Sequence, residues 1–126
     1  MERVYWTKHN GIDILIEDFS NIKPGDEFEA LLDKARKEIH SRPEKSVLAL
    51  FDATGALFNM EVVETMKEFV KSNTPHVKAA AVVGIQGLLK VAMQTVNMAA
   101  RRPFMLVNSR EEGLDWLAGQ GKKGRI

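Results

Sequence analysis

The sequence predicts a single α/β domain in which a mixed, mainly parallel five-stranded sheet is flanked by four helices. Short apolar runs alternate along the chain with longer segments of helical periodicity, which is the pattern of an α/β fold. The connections are short enough for right-handed crossovers between parallel strands. A length of 126 residues fits one domain, and 44% hydrophobic with 28% charged residues is an ordinary globular composition. The expected order of elements is ββαβαβαβα.

The first two strands are predicted over 4–8 and 12–18 as an antiparallel hairpin. Both runs are rich in β-branched or aromatic residues, and Asn10-Gly11 between them is a strong hairpin signal because both residues tolerate a positive φ. In the second strand the alternation of side chains places Asp13 and Glu17 on one face. We therefore expect that face to be partly exposed.

The remaining elements follow from two patterns in the sequence. Apolar residues recur at three- and four-residue steps in the predicted helices, and short runs that are almost entirely apolar are typical of central strands covered on both faces. Two helices also have N-terminal capping signals. The predicted elements are a helix over 24–41, a strand over 46–51, a helix capped by Asn59 and ending near 73, a strand over 77–83, a helix over 84–100, a strand over 103–107, and a last helix opened by the capping box Ser109-Arg110-Glu111-Glu112.

Composition and charge exclude several classes of function. The absence of cysteine excludes disulfides, thiol nucleophiles and Cys-ligated zinc. A formal net charge of +1 provides no long-range field for nucleic acid. Residues 121–126 carry three positive charges and two glycines, and we expect a flexible basic tail beyond a domain spanning 1–120. Neither a secretory signal nor a transmembrane segment is recognisable, so a cytoplasmic protein is expected.

Four phrases of the sequence are shared with a known group of folds. They are Ile16-Glu17-Asp18-Phe19-Ser20, the run Val47-Leu48-Ala49-Leu50-Phe51-Asp52-Ala53-Thr54-Gly55, Ala79-Ala80-Ala81-Val82-Val83-Gly84, and Ser109-Arg110-Glu111-Glu112-Gly113-Leu114-Asp115-Trp116-Leu117. With the order of elements, they resemble the STAS-like group of bacterial proteins, the fold of the sporulation anti-sigma-factor antagonist, and especially its SpoIIAA-like branch. The resemblance spans about 4–118. None of the phrases is a catalytic signature, so they indicate architecture rather than activity.

The resemblance implies a non-enzymatic binding or regulatory module. The SpoIIAA-like branch is described as similar to the lipid-carrying Sec14 fold, which implies a small apolar or amphipathic ligand. A protein partner is the alternative, and we expect a homodimer.

A phosphoswitch antagonist is a further alternative implied by the resemblance. Those antagonists carry a phosphorylatable Ser at the start of the second helix, where this sequence has Phe58-Asn59-Met60-Glu61, and neither Asn nor Met can accept a phosphate. Thr54 is a substitute acceptor in the preceding loop, although the Asp-Ala-Thr-Gly phrase also suits an ordinary turn.

The candidate binding site lies at the carboxyl ends of the parallel strands, where open α/β sheets prefer to bind ligands. Asp52 and Thr54 follow one strand, and Gly84-Ile85-Gln86-Gly87 follows the next. The helix that begins at Gly84 has no acid in its first turn, and Lys90 lies one turn further on. This N-terminus is therefore the candidate for holding a carboxylate, phosphate or polar head group, the alternative being a tight connection.

The helix predicted over 84–100 also has an apolar flank outside its core-facing arc. Gly87, Val91 and Met98 form this flank when the residues are placed at 100° steps. It predicts a wider core contact or a patch covered by a neighbouring helix, or alternatively a ligand groove or a dimer surface.

The sequence offers little for catalysis. His9, His40 and His76 lie in separate segments without metal-ligand spacing, and no known catalytic loop motif is present. Asp52 is the best catalytic candidate, with Thr54 beside it, because it ends a covered strand; the alternative is an Asp that caps its own turn. We therefore predict a non-enzymatic protein without a cofactor, and keep an enzyme using Asp52 as the alternative.

Overall fold

A computed structural model describes residues 2–85 and 103–122 of the chain. These residues form a sheet of five strands and three helices. The elements are β1 (Val4–His9), β2 (Ile12–Asp18), α1 (Asp26–His40), β3 (Val47–Asp52), α2 (Met60–Asn73), β4 (Val77–Val83), β5 (Phe104–Val107) and α3 (Arg110–Lys122).

The strands lie in the sheet in the order β1-β2-β3-β4-β5. β1 and β2 pair antiparallel, and every other neighbouring pair is parallel. Asn10 and Gly11 both have positive φ, 53° and 81°, as the hairpin signal predicts. The predicted fold class is confirmed. Of the helix predicted over 84–100, Gly84 and Ile85 are described, and the rest lies outside the described residues.

Helices cover both faces of the sheet. α1 and α2 pack on one face, where Phe28 and Phe69 join a core around Phe51. α3 packs on the other face, where Leu117 contacts a second core that includes Leu50. All six residues of β3 are buried, as expected for a central strand between two helical layers.

Glu17 lies in an environment that the alternation rule does not predict. Its residue surface is only 3% exposed, whereas the Asp13 side chain is 51% exposed. The expectation of a partly exposed face is therefore right at Asp13 and wrong at Glu17. The reason is that β2 is an inner strand: β1 lies on one side of it, β3 on the other, and its carboxyl half is covered on both faces.

The ends of the helices agree largely with the capping signals. The Asn59 Oδ1 atom accepts a hydrogen bond from Val62 N at 2.8 Å, which confirms the N-cap of α2. Ser109 Oγ accepts one from Glu112 N at 3.1 Å, but the Glu112 carboxylate accepts from Asn108 N, one residue earlier than a capping box requires.

The last helix lies unusually close to the sheet. A Cβ atom placed on Gly113 would lie 2.8 Å from Leu50 Cδ1, and one on Gly121 would lie 2.8 Å from Leu48 Cδ1. Gly121 is buried and belongs with Lys122 to α3. Residues 123–126 lie outside the described residues, so the flexible basic tail stays a prediction.

Candidate functional site

Two aspartates end neighbouring parallel strands at the carboxyl edge of the sheet. Asp18 ends β2 and Asp52 ends β3, and the two are partners in the strand register. Their side chains are 24% and 9% exposed. A pair of acids at this edge is the arrangement from which many α/β sites are made, so the surroundings of the two carboxylates decide what they can do.

Both aspartates form the same local turn. Asp18 Oδ1 accepts hydrogen bonds from Ser20 N at 3.0 Å and Ser20 Oγ at 2.6 Å. Asp52 Oδ1 accepts from Thr54 N at 3.0 Å and Thr54 Oγ1 at 2.6 Å. Short polar side chains commonly bond backbone groups two residues ahead in this way. One oxygen of each carboxylate thus accepts hydrogen bonds within its own turn. For Asp52 this is the turn-capping role that the sequence analysis gives as the alternative to catalysis.

Arg110 connects the two turns from the first residue of α3. Its Nε atom donates to Asp52 Oδ2 at 2.7 Å, and its Nη2 atom lies 3.1 Å from Asp18 Oδ1. Its Nη1 atom lies 3.4 Å from the Tyr5 hydroxyl. The positive end of the helix dipole repels a cation at a helix N-terminus, and the attraction of the two carboxylates for Arg110 offsets this repulsion. We call Asp18, Ser20, Asp52, Thr54 and Arg110 the carboxyl-edge cluster.

The electrostatics of this cluster keep its members charged. Burial alone would raise the pKa of Asp52, but hydrogen bonds from Thr54 and Arg110, and the Arg110 charge, hold it below its usual range. The same holds for Asp18: burial alone would raise its pKa, but hydrogen bonds from Ser20 and the charge and hydrogen bond of Arg110 lower it. Burial alone would lower the pKa of Arg110, but the two aspartates raise it above its ordinary value. Both acids are therefore ionised and paired at neutral pH.

The structure brings part of the predicted site together. A Cβ atom on Gly84 would lie 2.5 Å from Thr54 Oγ1, so Gly84 and Thr54 are in close contact, and Gly84 has a φ of +84° that suits glycine. Ile85 is partly buried against the core under α1 and α2. The binding role of these residues stays a prediction. Outside the described residues lie Gln86, Gly87, Lys90, Val91 and Met98.

Sequence reasoning proposed Asp52 and Thr54 but missed the other three members of the carboxyl-edge cluster, Asp18, Ser20 and Arg110. The sequence analysis assigns Arg110 only to a capping box, although that capping box itself indicates that a helix starts at this edge. In a parallel sheet the strand ends and the following helix starts share one edge, so the meeting of an Arg at a helix start with two Asp at strand ends could have been predicted from the order of elements. The signal was present, but the helix dipole argued for acids there.

The histidines do not form a metal site. His9 Nε2 lies 2.7 Å from Asp115 Oδ1 at an exposed position. The fold brings His40 and His76 together although they are distant in sequence, with stacked rings whose centroids are 4.7 Å apart. Among the described residues, no three His, Asp or Glu side chains are grouped so that they could hold a metal ion.

A second concave surface lies at the opposite edge, where the parallel strands begin. It has a volume of about 540 Å³. Four cationic residues line it together with one acid, Asp13, so cations predominate in the lining. We call this surface the amino-edge groove. Its cations are Lys8, Arg42, Lys45 and Lys78, and its apolar lining includes Trp6, Ile12 and Leu48.

The side chains of this groove have defined contacts. The Arg42 guanidinium carbon lies 3.9 Å from the centre of the Trp6 ring, and the Trp6 indole N–H donates to Glu38 Oε2 at 2.8 Å. Lys8 and Asp13 form an exposed ion pair with an N to O distance of 3.1 Å. The sequence reasoning missed the groove because a net charge of +1 averages over the molecule. Lys45 and Lys78 lie beside the first residues of β3 and β4, which is the signal that marks this edge.

A smaller cavity lies between α2 and the sheet. Its volume is about 50 Å³, and its walls include Met66, Val82 and Phe104 beside Glu17. A space of this size accommodates one or two water molecules and is far below the size of a drug-sized ligand.

The comparisons with known proteins bear on the fold. No family model matches the sequence, and no curated protein matches it. Among solved structures, the chain is similar to an uncharacterised protein of the DUF3478 family from Shewanella loihica PV-4, described as having a SpoIIAA-like fold. The two share 22% sequence identity over 90% of this chain and 91% of that chain, with a TM-score of 0.60.

The fold is SpoIIAA-like. The resemblance predicted from the sequence phrases is confirmed at the level of the fold, and an identity of 22% supports nothing finer. The similarity to the Sec14 fold stays a prediction. Within residues 2–85 and 103–122, every helix is too short or too polar to cross a bilayer.

Proposed function

We propose that this chain is a non-enzymatic binding or regulatory module of SpoIIAA-like fold. The observation that carries the proposal is the pairing of Arg110 with both Asp18 and Asp52, at 3.1 and 2.7 Å. A general base that works near neutral pH has a pKa close to that pH, whereas both of these acids have a lowered pKa. The acids at the usual catalytic edge therefore serve the fold.

The same contacts weigh against the alternative of an enzyme that uses Asp52 with Thr54. The Thr54 hydroxyl donates its proton to Asp52 at 2.6 Å, the geometry of a nucleophile and a base. Asp52 is nevertheless a weak base, because Arg110 and Thr54 stabilise its ionised form. Activation of the hydroxyl would need the opposite shift.

A phosphoswitch at Thr54 is also weakly supported. Thr54 is exposed, so a kinase could reach it. A phosphate on its hydroxyl would replace the hydrogen bond to Asp52 and lie close to the Asp52 and Asp18 carboxylates, which repel it. Intact-mass measurement after incubation with ATP and host extract checks this point, and a species heavier by one phosphate at Thr54 would revive the phosphoswitch.

The ligand of the proposed module is a small apolar or amphipathic molecule or a protein partner, and the expected assembly is a homodimer. Two observations support such surfaces: the groove of about 540 Å³ at the amino edge, and the exposed side chains of Leu57 and Met60 in and after the loop that follows β3. These two exposed apolar side chains are three residues apart in the sequence, which makes this loop a candidate contact surface.

Native mass spectrometry of the full chain purified from its own host tests the proposal. We expect the chain to carry a co-purified small molecule, a second copy or a protein partner. A bare monomer under these conditions would contradict the proposal. Turnover of any compound in a host metabolite extract, lost in Asp52→Asn and retained in Asp33→Asn, would replace it with the enzyme alternative.

A further inference from the structure

We infer that the amino-edge groove binds a small amphipathic anion, a molecule with a carboxylate or phosphate group on an apolar body. The inference rests on the proposed function and adds the place and the chemical class of the ligand. It differs from the site predicted from the sequence, which lies at the opposite edge of the sheet.

The size and the floor of the groove suit a small organic molecule. A volume of about 540 Å³ lies within the range of small-molecule sites, roughly 300–1,000 Å³. Ile12 and Leu48 contribute to the lining and are 5% and 3% exposed, and Trp6 adds part of an aromatic ring. Ile12 and Leu48 have little surface left to bury, so an apolar body gains free energy chiefly by covering the part of Trp6 that is still exposed to water.

The charge of the groove selects an anion. The cations come from β1, from the loop between α1 and β3, and from β4, so the fold itself gathers them. Among the described residues that line the groove, the acid is Asp13, and it pairs with Lys8. Neither Arg42 nor Lys45 forms a salt bridge to another described residue. A carboxylate or phosphate placed here would make charge-assisted hydrogen bonds, which are stronger than neutral ones.

The loop that carries Arg42 and Lys45 is ordered before any ligand arrives. His76 Nδ1 lies 2.9 Å from the Arg42 carbonyl oxygen, and Lys45 N donates to the Pro75 carbonyl oxygen at 3.0 Å. The Arg42 guanidinium carbon lies over the Trp6 ring at 3.9 Å from its centre, a cation–π contact that helps to hold the side chain at the groove. Such preorganisation lowers the entropy lost on binding.

Isothermal titration of the full chain with octyl phosphate, octanoate, inorganic phosphate and octanol tests the inference. We expect octyl phosphate or octanoate to bind at least about tenfold more tightly than inorganic phosphate or octanol, because only the amphiphiles use both the cations and the apolar lining. The double variant Arg42→Glu/Lys45→Glu should weaken that binding at least about tenfold. The matched control Arg36→Glu/Lys67→Glu makes the same charge change on the exposed surfaces of α1 and α2 and should bind like the natural chain.

Two further measurements keep the outcome decisive. Lys45→Glu alone preserves the stacking of Arg42 on Trp6, so weaker binding in this variant, with an unchanged unfolding midpoint, supports the groove even if the double variant is poorly folded. Absence of binding by both amphiphiles up to about 10 mM, or equal affinity in the double variant and its control, overturns the inference.

A binding measurement with lipid vesicles distinguishes a free amphiphile from a membrane surface as the ligand. Binding only to phosphatidylcholine vesicles that contain an anionic lipid, with none to the monomeric amphiphiles, overturns the inference in favour of a lipid headgroup. If native mass spectrometry finds a different ligand or a partner while the amphiphiles fail, the inference fails and the proposed function stands. Turnover that depends on Asp52 would remove the proposed function itself.

Discussion

At the scale of single residues, Arg110 determines how the carboxyl edge behaves. It is 36% exposed, whereas the Asp52 side chain it pairs with is 9% exposed, so the pair is partly buried and less screened than a surface ion pair. Breaking such a pair leaves a carboxylate without its counter-charge in a poorly solvated place. The cluster is therefore expected to contribute measurably to stability.

Arg110→Ala should lower the free energy of unfolding by about 1–3 kcal/mol, less than for a fully buried pair because part of Arg110 remains in water. Urea unfolding measures this difference. Arg36→Ala is the control, since Arg36 pairs with Asp33 on an exposed helix face and should cost less than about 1 kcal/mol. Equal losses in the two variants would contradict a structural role for the cluster.

The same residues predict how stability depends on pH. The folded-state pKa values of Asp18 and Asp52 lie below the ordinary 3.8, so the unfolded chain binds protons more readily than the folded one. Their contribution is complete above pH 3.8 and is lost as the pH falls through the lowered values. Urea midpoints between about pH 2 and 7 should therefore fall at the acid end, and fall less in Arg110→Ala, where the pairing is already absent. An identical acid profile in both proteins would show that these carboxylates are not responsible.

At the scale of elements, the patterns of the sequence locate strands and helices well and their surroundings less well. The helix predicted over 24–41 is observed as Asp26–His40, and the strand predicted over 46–51 is observed as Val47–Asp52. Periodicity and turn residues determine these bounds locally. The burial of Glu17 could not be predicted from alternation, because it depends on which strand lies next to β2 and which helices cover it.

The glycines of α3 give an element-scale prediction. A Cβ atom on Gly113 would lie 2.8 Å from Leu50 Cδ1 and 3.2 Å from Val107 Cγ2, whereas one on Gly119 would contact nothing within 4 Å. Gly119→Ala should raise the free energy of unfolding by up to about 1 kcal/mol through helix propensity. Gly113→Ala should lower it, because overpacking of roughly 1–3 kcal/mol exceeds that gain. Thermal unfolding of the two variants measures the contrast, and a stabilised Gly113→Ala would contradict the close packing of α3 on the sheet.

At the scale of the whole molecule, the parallel sheet sorts charge between its two edges. The strands end in Asp18 and Asp52, which both pair with Arg110, while Lys45 and Lys78 lie where β3 and β4 begin. Because the carboxyl ends of parallel strands share one edge of the sheet, the sequence is enough to predict that Asp52, Thr54 and Gly84 lie close together. Arg110 lies 58 residues from Asp52 in sequence, and the cations of the groove come from three separate parts of the chain. Contacts of this kind follow from topology, which a one-dimensional charge count does not contain.

This separation predicts different responses of the two edges to salt. Lys8 is 67% exposed in its ion pair, and the groove is open to solvent, so mobile ions screen its cations efficiently. Raising NaCl from about 20 to about 500 mM shortens the screening distance several-fold and should weaken octyl phosphate binding by roughly fivefold or more. The stability difference between the natural chain and Arg110→Ala should change by less than about 0.5 kcal/mol, because Asp52 is shielded from the same ions. Titration and urea unfolding at the two salt concentrations measure both quantities. Binding that is insensitive to salt would mean that the cations of the amino-edge groove do not recognise the ligand's charge.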